Sequence, residues 1–318
     1  MKLLMLWEQK TMQNDYLQLN NNKKIFLIRK VLSLGALILK KKKILEPKHE
    51  ARLLIAKELD RNESFVILND NFKISQKKKF IFLKNIYKRC CGKPISRIRG
   101  KREFYSRDFF INKFTLDPRP ESEFLVDITL ELINRIKKKR INILDLGTGS
   151  GCLIISILLE ARNKSKKIID ASGVDICAKS LEVAKKNGKK FYLEDKIKFY
   201  KSNWFSNVEN KFDIIVSNPP YIKSDDIKFL SDSVKKYDPR IALDGGISGL
   251  QCYQNIKRNL EKYLNNNGFL CLELGNNKIK EINKIFVNDG LKFYQDYTDY
   301  SDITRNVVFQ LRKKDLKK

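Results

Sequence analysis

Histidine is almost absent from this 318-residue chain, which contains only His49. A Ser–His–Asp triad and a His-rich metal site both need imidazole groups, so neither kind of site is expected. The six cysteines form no CxxC pair, which argues against the usual zinc spacing and favours reduced thiols. The sequence therefore predicts neither triad chemistry nor a bound metal.

Long apolar runs are also lacking. No segment reaches the roughly 18 apolar residues that a membrane span needs, and the best candidate, 25–39, contains Arg29 and Lys30. The opening MKLLMLW is too short for the apolar core of a signal peptide and is followed by Glu8. We expect a cytoplasmic protein with no membrane attachment, and we leave residues 1–22 as an unassigned extension.

Acidic residues are few beside the basic ones. The chain has 65 Lys and Arg against 37 Asp and Glu, a net charge of +28. Residues 1–116 hold 28 of the basic and only 10 of the acidic residues, so the front third is the most basic part. Two interpretations remain open: a surface for an acidic partner, or a coding bias, since Lys, Ile and Asn are abundant throughout.

The front of the chain has helical periodicity. Apolar residues recur at helical spacing in three segments, 24–39, 47–59 and 74–91. Pro47 suits a first helical turn and Gly92 suits a helix stop. We therefore predict a helical N-terminal domain over residues 23–95.

The middle of the chain predicts a linker and then a second domain. Residues 102–113 alternate like a β-hairpin that turns around 106–108, and 116–123 form a loop with two prolines. We assign 96–120 as a hairpin and loop linker and 121–318 as the second domain.

The second domain has the pattern of an α/β protein. From Ile141 onward, apolar strands alternate with helices, which predicts a doubly wound, mainly parallel sheet. The strand patterns at 291–299 and 305–313 have no helix between them. They predict an antiparallel pair at the sheet edge.

A glycine loop follows the first strand of this sheet. ILDLGTGSGCL places Gly147, Gly149 and Gly151 between a strand and a helix, where backbone N–H groups can meet a ligand. The loop lacks the GK[ST] ending of a P-loop, and its GxGxG spacing differs from the GxGxxG of dinucleotide loops. It resembles the S-adenosylmethionine loop of Rossmann-like methyltransferases, although a tight turn without a ligand remains open.

Two further strand ends carry polar residues. Asp175 ends the next strand, where an acid can accept two ribose hydroxyls or cap the following helix. Asn203 and Trp204 end a third strand. The Asn203 oxygen could accept a bond from an adenine amine, and Trp204 could pack on the adenine or in the core.

The segment DIIVSNPPYIK ends a fourth strand with Asn218, Pro219, Pro220 and Tyr221. A planar –NH2 group is a poor nucleophile with two N–H donors to satisfy. The Asn218 oxygen and the Pro219 carbonyl can accept those two bonds, while Tyr221 can lie against the planar group. This pattern predicts methylation of a planar nitrogen without a strong base.

Several segments together resemble the HemK/PrmC family of release factor glutamine methyltransferases. They are the Asn-Pro-Pro-Tyr motif, the glycine loop, GKREFYSRDFFINKFTLDPRPESEFLVD, DPRIALDGGISGLQCYQNI, TRNVVFQLRK and HEARLLIAKEL, and the resemblance covers roughly residues 24–313. It implies a class I S-adenosylmethionine-dependent methyltransferase fold, a Rossmann-like seven-stranded sheet with a small helical N-terminal domain and a β-hairpin linker. It also implies methylation of the glutamine amide in the Gly-Gly-Gln motif of release factors.

The resemblance implies roles for named residues. S-adenosylmethionine would be held by Gly147, Thr148, Gly149, Ser150, Gly151, Asp175, Asn203, Trp204 and Asn218. Catalysis and glutamine binding would fall to Asn218, Pro219, Pro220 and Tyr221, with Arg119 and Glu121 in the wall over the substrate. Departures from the family pattern are Ser122 for threonine, Asn203 for an acid and Asp238 for glutamate, and none removes a group that the chemistry requires.

The implied partner is a release factor, typically an acidic protein, which the basic front domain would recognise. We expect a monomer without metal, without stably bound nucleic acid and without membrane contact. Two rival functions stay open: a ribosomal protein glutamine methyltransferase, whose loop tends to read Pro-Arg-Ser-Pro, and a nucleic-acid base methyltransferase. The Pro118-Arg119-Pro120-Glu121 loop favours the release factor enzyme.

Overall fold

The computed structural model describes residues 25–276, 278–288, 290–299 and 302–312. The chain divides between Arg99 and Gly100 into two compact units. The expected extension at 1–22 lies outside the described residues. Among the residues described, no helix combines the length and apolar character that crossing a membrane requires.

The first unit is mostly helical. Its helices are α1 (Ile28–Lys41), α2 (Pro47–Leu59), α3 (Glu63–Leu68), α4 (Gln76–Cys90) and α5 (Ile95–Arg99), and its strands are β1 (Ile25–Leu27) and β2 (Lys73–Ser75). The three helices predicted from periodicity are present, and Pro47 begins α2 as expected. The antiparallel β1–β2 pair was not predicted, because strands of three residues show too little alternation to be recognised.

Close helix packing holds the first unit together. A methyl group on Gly35 would lie 2.5 Å from the Phe82 ring, so only glycine lets α1 approach α4 this closely. Leu54 and Ile55 of α2 are fully buried in the same apolar cluster. The apolar stripes that predicted the helices are thus the surfaces that they bury.

The second unit is an α/β domain. Its strands are β3 (Lys101–Phe104), β4 (Arg107–Phe110), β5 (Arg140–Leu146), β6 (Ile168–Asp175), β7 (Ile197–Lys201), β8 (Phe212–Ser217), β9 (Leu264–Glu273), β10 (Leu291–Thr298) and β11 (Thr304–Leu311). Its helices are α6 (Glu123–Arg135), α7 (Cys152–Lys164), α8 (Ala178–Lys190), α9 (Asp232–Tyr237), α10 (Gln251–Tyr263) and α11 (Ile279–Phe286), with 3-10 turns at Pro120–Ser122, Asp226–Phe229 and Arg240–Ala242.

Seven of these strands form one sheet in the order β10-β11-β9-β8-β5-β6-β7. The five strands from β9 to β7 are parallel, whereas β11 runs antiparallel to β9 and to β10. This confirms the predicted seven-stranded, doubly wound fold and the antiparallel pair at its edge. Helices cover both faces, and β8 is accordingly buried along its whole length.

The hairpin β3–β4 is hydrogen-bonded to this domain at several points, among them the buried amide of Asn187. Tyr105 and Ser106 take positive φ values of 49° and 57°, so the turn lies one residue before its predicted position. The side chain of Asn187, fully buried in α8, accepts from Phe110 N at 2.8 Å and donates to Phe110 O at 3.0 Å. It also donates to the carbonyl of Ser150 at 2.8 Å, which joins the hairpin to the glycine loop.

Replacing Asn187 with alanine should therefore destabilise the whole α/β domain. Three backbone groups lose their partner, the buried Ser150 carbonyl and the part-buried N–H and C=O of Phe110. An unpaired buried group costs about 1–3 kcal/mol, so we expect a loss of roughly 1–3 kcal/mol. Urea denaturation measures the change. Lys189→Ala, at an exposed position on the same helix, is the control. Equal stability of the two variants would contradict the anchoring role.

Candidate active site

The carboxyl ends of β5, β6, β7 and β8 surround a cavity of about 250 Å³. Seven of the predicted site residues line it, namely Gly147, Gly149, Asp175, Asn203, Trp204, Asn218 and Pro220. Sequence reasoning assigned no role to other lining residues, although they lie in segments that carry the family resemblance, among them Phe114, Leu116, Ile241 and Cys252. The parallel strands thus place four separated sequence signals around one space.

The glycine loop has the backbone form that the sequence predicts. Gly147, Gly149 and Gly151 all have positive φ, at 74°, 56° and 78°. Thr148 and Ser150 are buried under the loop rather than lining the cavity, and the Thr148 hydroxyl donates to Asp145 at 2.7 Å. The loop therefore offers backbone to the cavity and uses its side chains for its own support.

Asp175 links the glycine loop to the start of α8. Its carboxylate accepts from Gly149 N at 2.9 Å and from Cys177 N at 2.8 Å. Burial raises the pKa of Asp175, whereas these two N–H groups favour its charged form and lower the pKa. Asp175 thus faces the cavity as an acceptor held in place by two backbone donors.

Asn203 and Trp204 lie on the loop after β7. Trp204 has a φ of 52°, a left-handed conformation that is rare for an aromatic residue, and its carbonyl accepts from the Ser202 hydroxyl at 2.7 Å. Asn203 is exposed, while Trp204 is half-buried against the apolar cluster on its side of the sheet. Both residues line the cavity, and no lysine or arginine is among its described lining residues.

The proline motif is clamped by the segment 238–250. Ile222 N donates to Leu243 O at 3.1 Å, and Gly245 N donates to Ile222 O at 2.8 Å. A methyl group on Gly245 would lie 2.8 Å from Pro220 O, and one on Gly249 would lie 2.6 Å from Tyr221 O. Glycine is needed at positions 245 and 249 because the backbone of this segment touches the backbone of the proline motif.

Tyr221 is neutral at ordinary pH. Burial, with the negative charge of Glu273 beside it, raises the pKa of Tyr221 to about 12. The phenol therefore cannot act as a base near neutrality, which agrees with a packing role against a planar group. Neither Tyr221 nor Pro219 is among the residues that line the cavity itself.

The Asn218 amide has two side-chain partners that sequence reasoning did not assign. Its Nδ2 donates to the Ser122 hydroxyl at 2.9 Å, and the amide lies close enough to Glu273 to lower the pKa of that carboxyl. Ser122 in turn donates to Glu273 Oε2 at 2.5 Å. Glu273 is buried at the end of β9, and burial raises its pKa to about 7. The available signal was an acid at the tip of the apolar strand FLCLEL.

The Pro-Arg-Pro loop, predicted to form part of the wall over the substrate, is held in place by hydrogen bonds to Asp238. Arg119 donates to Asp238 Oδ2 at 2.5 Å, and Asp117 N donates to the other oxygen at 3.2 Å. Asp238 thereby joins the Pro-Arg-Pro loop to the segment after α9. Glu121 lies close enough to influence the pKa of Tyr221 and of Glu273. Neither Arg119 nor Glu121 lines the cavity.

The cavity is electrostatically suited to a cation in spite of the basic chain. Asp175 and Asp244 line it, and Asp145 is buried beneath the glycine loop. Among the described residues no group of three or more His, Cys, Asp or Glu could hold a metal ion. The carboxylates at the cavity favour a positively charged ligand.

Asp145 should give stability a measurable pH dependence. Burial raises its folded pKa to about 7, above the unfolded value near 3.9, so the folded state holds the extra proton between these values. Stability should then fall as pH rises from 4 to 7, by at most roughly 4 kcal/mol from this group. Asp145→Asn should reduce that fall, measured by urea denaturation at pH 5 and pH 8. The exposed Asp170→Asn is the control, and an unchanged fall in Asp145→Asn would contradict the assignment.

Two family models match the chain. The model described as PrmC N-terminal domain matches residues 30–100, and the one described as Methyltransferase small domain matches 122–236. Among solved structures, the hMettl16 catalytic domain in complex with MAT2A 3′UTR hairpin 6 is similar with a TM-score of 0.50 and 16% identity. That similarity covers 65% of this chain and 76% of that one, and it shows the fold alone.

Curated relatives match over most of the chain. A release factor glutamine methyltransferase from Agrobacterium fabrum is 35% identical over 269 residues, which is 84% of this chain and 91% of that protein. A bifunctional methyltransferase from Rickettsia bellii is 33% identical over 316 residues, and the chain spans only 56% of its length. Identity at this level over nearly the whole Agrobacterium protein confirms the resemblance predicted from sequence. The chain belongs to the HemK/PrmC family of release factor glutamine methyltransferases.

Proposed function

We propose that the chain transfers a methyl group from S-adenosylmethionine to the side-chain amide nitrogen of a glutamine, the one in the Gly-Gly-Gln motif of release factors. The observation that carries this is the Asn218 amide, whose nitrogen donates to the Ser122 hydroxyl. Its oxygen is thereby left as the group for a substrate N–H. Relatives named for this reaction support the same substrate.

The residues of the cavity fit the methyl donor. When bound, S-adenosylmethionine supplies a methyl group on a positively charged sulfur. Gly147 and Gly149 would bring backbone to it, Asp175 would accept from its hydroxyl groups, and Asn203 and Trp204 would meet its aromatic part. Thr148, Ser150 and Gly151 would shape the loop. The fit rests on the acid-lined cavity next to Asn218, whose described lining residues include no lysine or arginine.

The chain's own residues then make the amide nitrogen reactive by placement. The Asn218 oxygen accepts one N–H of the glutamine and the Pro219 carbonyl accepts the other, since an unpaired buried N–H costs roughly 1–3 kcal/mol. The proline rings fix the backbone, and the neutral Tyr221 packs against the amide plane. Good alignment lowers a barrier by up to roughly 7–11 kcal/mol, so no base is required before methyl transfer.

The two units take different parts in the proposal. Residues 121–318 perform the reaction, the 96–120 segment is the hairpin and loop linker, and the helical unit, 23–95, recognises the protein substrate. Arg119 and Glu121 form part of the wall over the substrate. We also propose a cytoplasmic monomer that acts without a metal and without stably bound nucleic acid. Its protein substrate is large compared with one amide, so most recognition lies outside the cavity.

The deciding experiment offers labelled cofactor to three substrates: a release factor, ribosomal protein and DNA. We expect label on the release factor, and mass spectrometry should place the methyl on the glutamine of Gly-Gly-Gln. Asn218→Ala is the matched variant, in which cofactor binding should be kept and turnover nearly lost because one acceptor is gone. Label on a nucleic-acid base, or full turnover by the variant, would refute the proposal.

The basic front unit gives a separate prediction about recognition. Lys40, Lys41, Lys42 and Lys43 form an exposed group at the end of α1, and Lys77, Lys78 and Lys79 form a second group in α4. Changing Lys41 and Lys42 to glutamate should lower kcat/KM for the whole acidic release factor about tenfold or more. A short peptide with the Gly-Gly-Gln motif should be methylated at an unchanged rate.

Two exposed lysines of α11 are the control for this prediction. Reversing Lys280 and Lys284 changes the net charge of the chain by the same amount in the other unit. If both double variants slow the whole factor equally, only the overall charge matters. If the whole factor and the short peptide respond alike, the basic front reflects coding bias.

A further inference from the structure

Glu273 is a buried acid that the proposed methyl transfer does not itself use. It lies at the end of β9 with 2% of its surface exposed, and its main-chain carbonyl accepts from the Tyr253 hydroxyl at 2.9 Å. Its side chain meets the Ser122 hydroxyl at 2.5 Å and the Asn218 amide. The Glu273 carboxyl is thus connected through Ser122 to Asn218, the residue proposed to face the substrate.

The chemistry of these three groups allows one orientation of the Asn218 amide. Above its pKa of about 7, Glu273 is a carboxylate that only accepts hydrogen bonds, whereas an amide has donors on nitrogen and an acceptor on oxygen. The Ser122 hydrogen is directed to Glu273, so the Ser122 oxygen is left to accept from Asn218 at 2.9 Å. Turning the amide over would set its oxygen against acceptors on both sides.

The orientation decides what the cavity accepts. Asn218 lines the cavity, so with its nitrogen held by Ser122, which Glu273 orients in turn, it presents oxygen to the substrate. Glutamine brings an N–H donor to that oxygen, whereas the nearly isosteric glutamate brings a carboxylate that it repels. If the amide could rotate, its NH2 would accommodate glutamate.

We propose that Glu273, acting together with Ser122, is a positioning residue that holds the Asn218 oxygen toward the substrate and so makes the site select a carboxamide over a carboxylate. The inference rests on the proposed function. It assigns Glu273 no contact with substrate or cofactor. Ser122 belongs to the 3-10 turn Pro120–Ser122, so its hydrogen bond to Asn218 also connects the Pro-Arg-Pro loop to the site.

The test compares two forms of one substrate. A release factor with its Gly-Gly-Gln motif is the methyl acceptor, and the same factor with glutamate in place of that glutamine is the competitor. Both forms share every docking contact, so the ratio of the competitor's inhibition constant to the KM of the acceptor reports side-chain selection. The variants are Glu273→Leu and Ser122→Ala. Ser122→Thr, which keeps the hydroxyl, is the conservative control.

In Glu273→Leu, kcat should fall about 100-fold, because a misplaced acceptor group costs a factor of this order. The ratio of inhibition constant to KM should narrow roughly tenfold or more, since the freed amide can turn its NH2 toward glutamate. Ser122→Ala should show smaller changes in the same direction, because the Glu273 carboxyl still lies close to the Asn218 amide and favours its NH2. Ser122→Thr should behave as the unaltered chain, and calorimetry should find cofactor affinity within about threefold in all three.

Several outcomes would overturn the inference. Discrimination between glutamine and glutamate that is unchanged in both variants would reduce Glu273 to a packing residue, even if kcat fell. A joint loss of cofactor affinity and thermal stability at constant discrimination would lead to the same conclusion. If Glu273→Leu does not fold, Ser122→Ala with its threonine control decides the question. Failure of the unaltered chain to methylate the factor would instead refute the proposed function, a result that these variants cannot imitate.

Discussion

The missing N–H of Pro219 is the constraint on which the site depends. β8 pairs with β5 and β9 as far as Ser217, and proline cannot continue such a ladder. The chain leaves the sheet at Asn218, and the neighbouring strands end at the same edge. A core strand buried on both faces thus delivers a polar amide directly to a cavity, with rigid backbone behind it.

Support for that amide comes from parts of the chain that are far apart in sequence. Ser122 precedes α6, Glu273 ends β9, and the glycines of 238–250 press on the backbone of Pro220 and Tyr221. Each contact leaves a group with few alternatives, because the Ser122 hydrogen is already donated to Glu273 and a glycine has no side chain that could rearrange. These contacts leave the Asn218 amide and the backbone that follows it few other arrangements.

Acidic and basic residues are distributed unevenly between the cavity and the surface. A chain of net charge +28 encloses a cavity whose described lining includes acids but neither lysine nor arginine. Burying Asp145 and Glu273 raises the pKa of each to about 7, an energetic cost that an arbitrary core would not carry. The excess lysines lie instead on exposed surfaces such as the end of α1, where solvent screens them.

Sequence patterns alone were enough for the doubly wound sheet, the helical front and the residues at four strand ends. Those features are local: apolar period, positive-φ glycines at 147, 149 and 151, and a proline-terminated strand can be read from neighbouring residues. Short strands such as β1 and β2 and the exact position of the hairpin turn were not predicted from the sequence, because backbone pairing decides them. The roles of Glu273 and Asp238 escaped for a different reason. Which buried acid meets Asn218 or Arg119 depends on how elements more than 50 residues apart pack, and only the tertiary structure decided it.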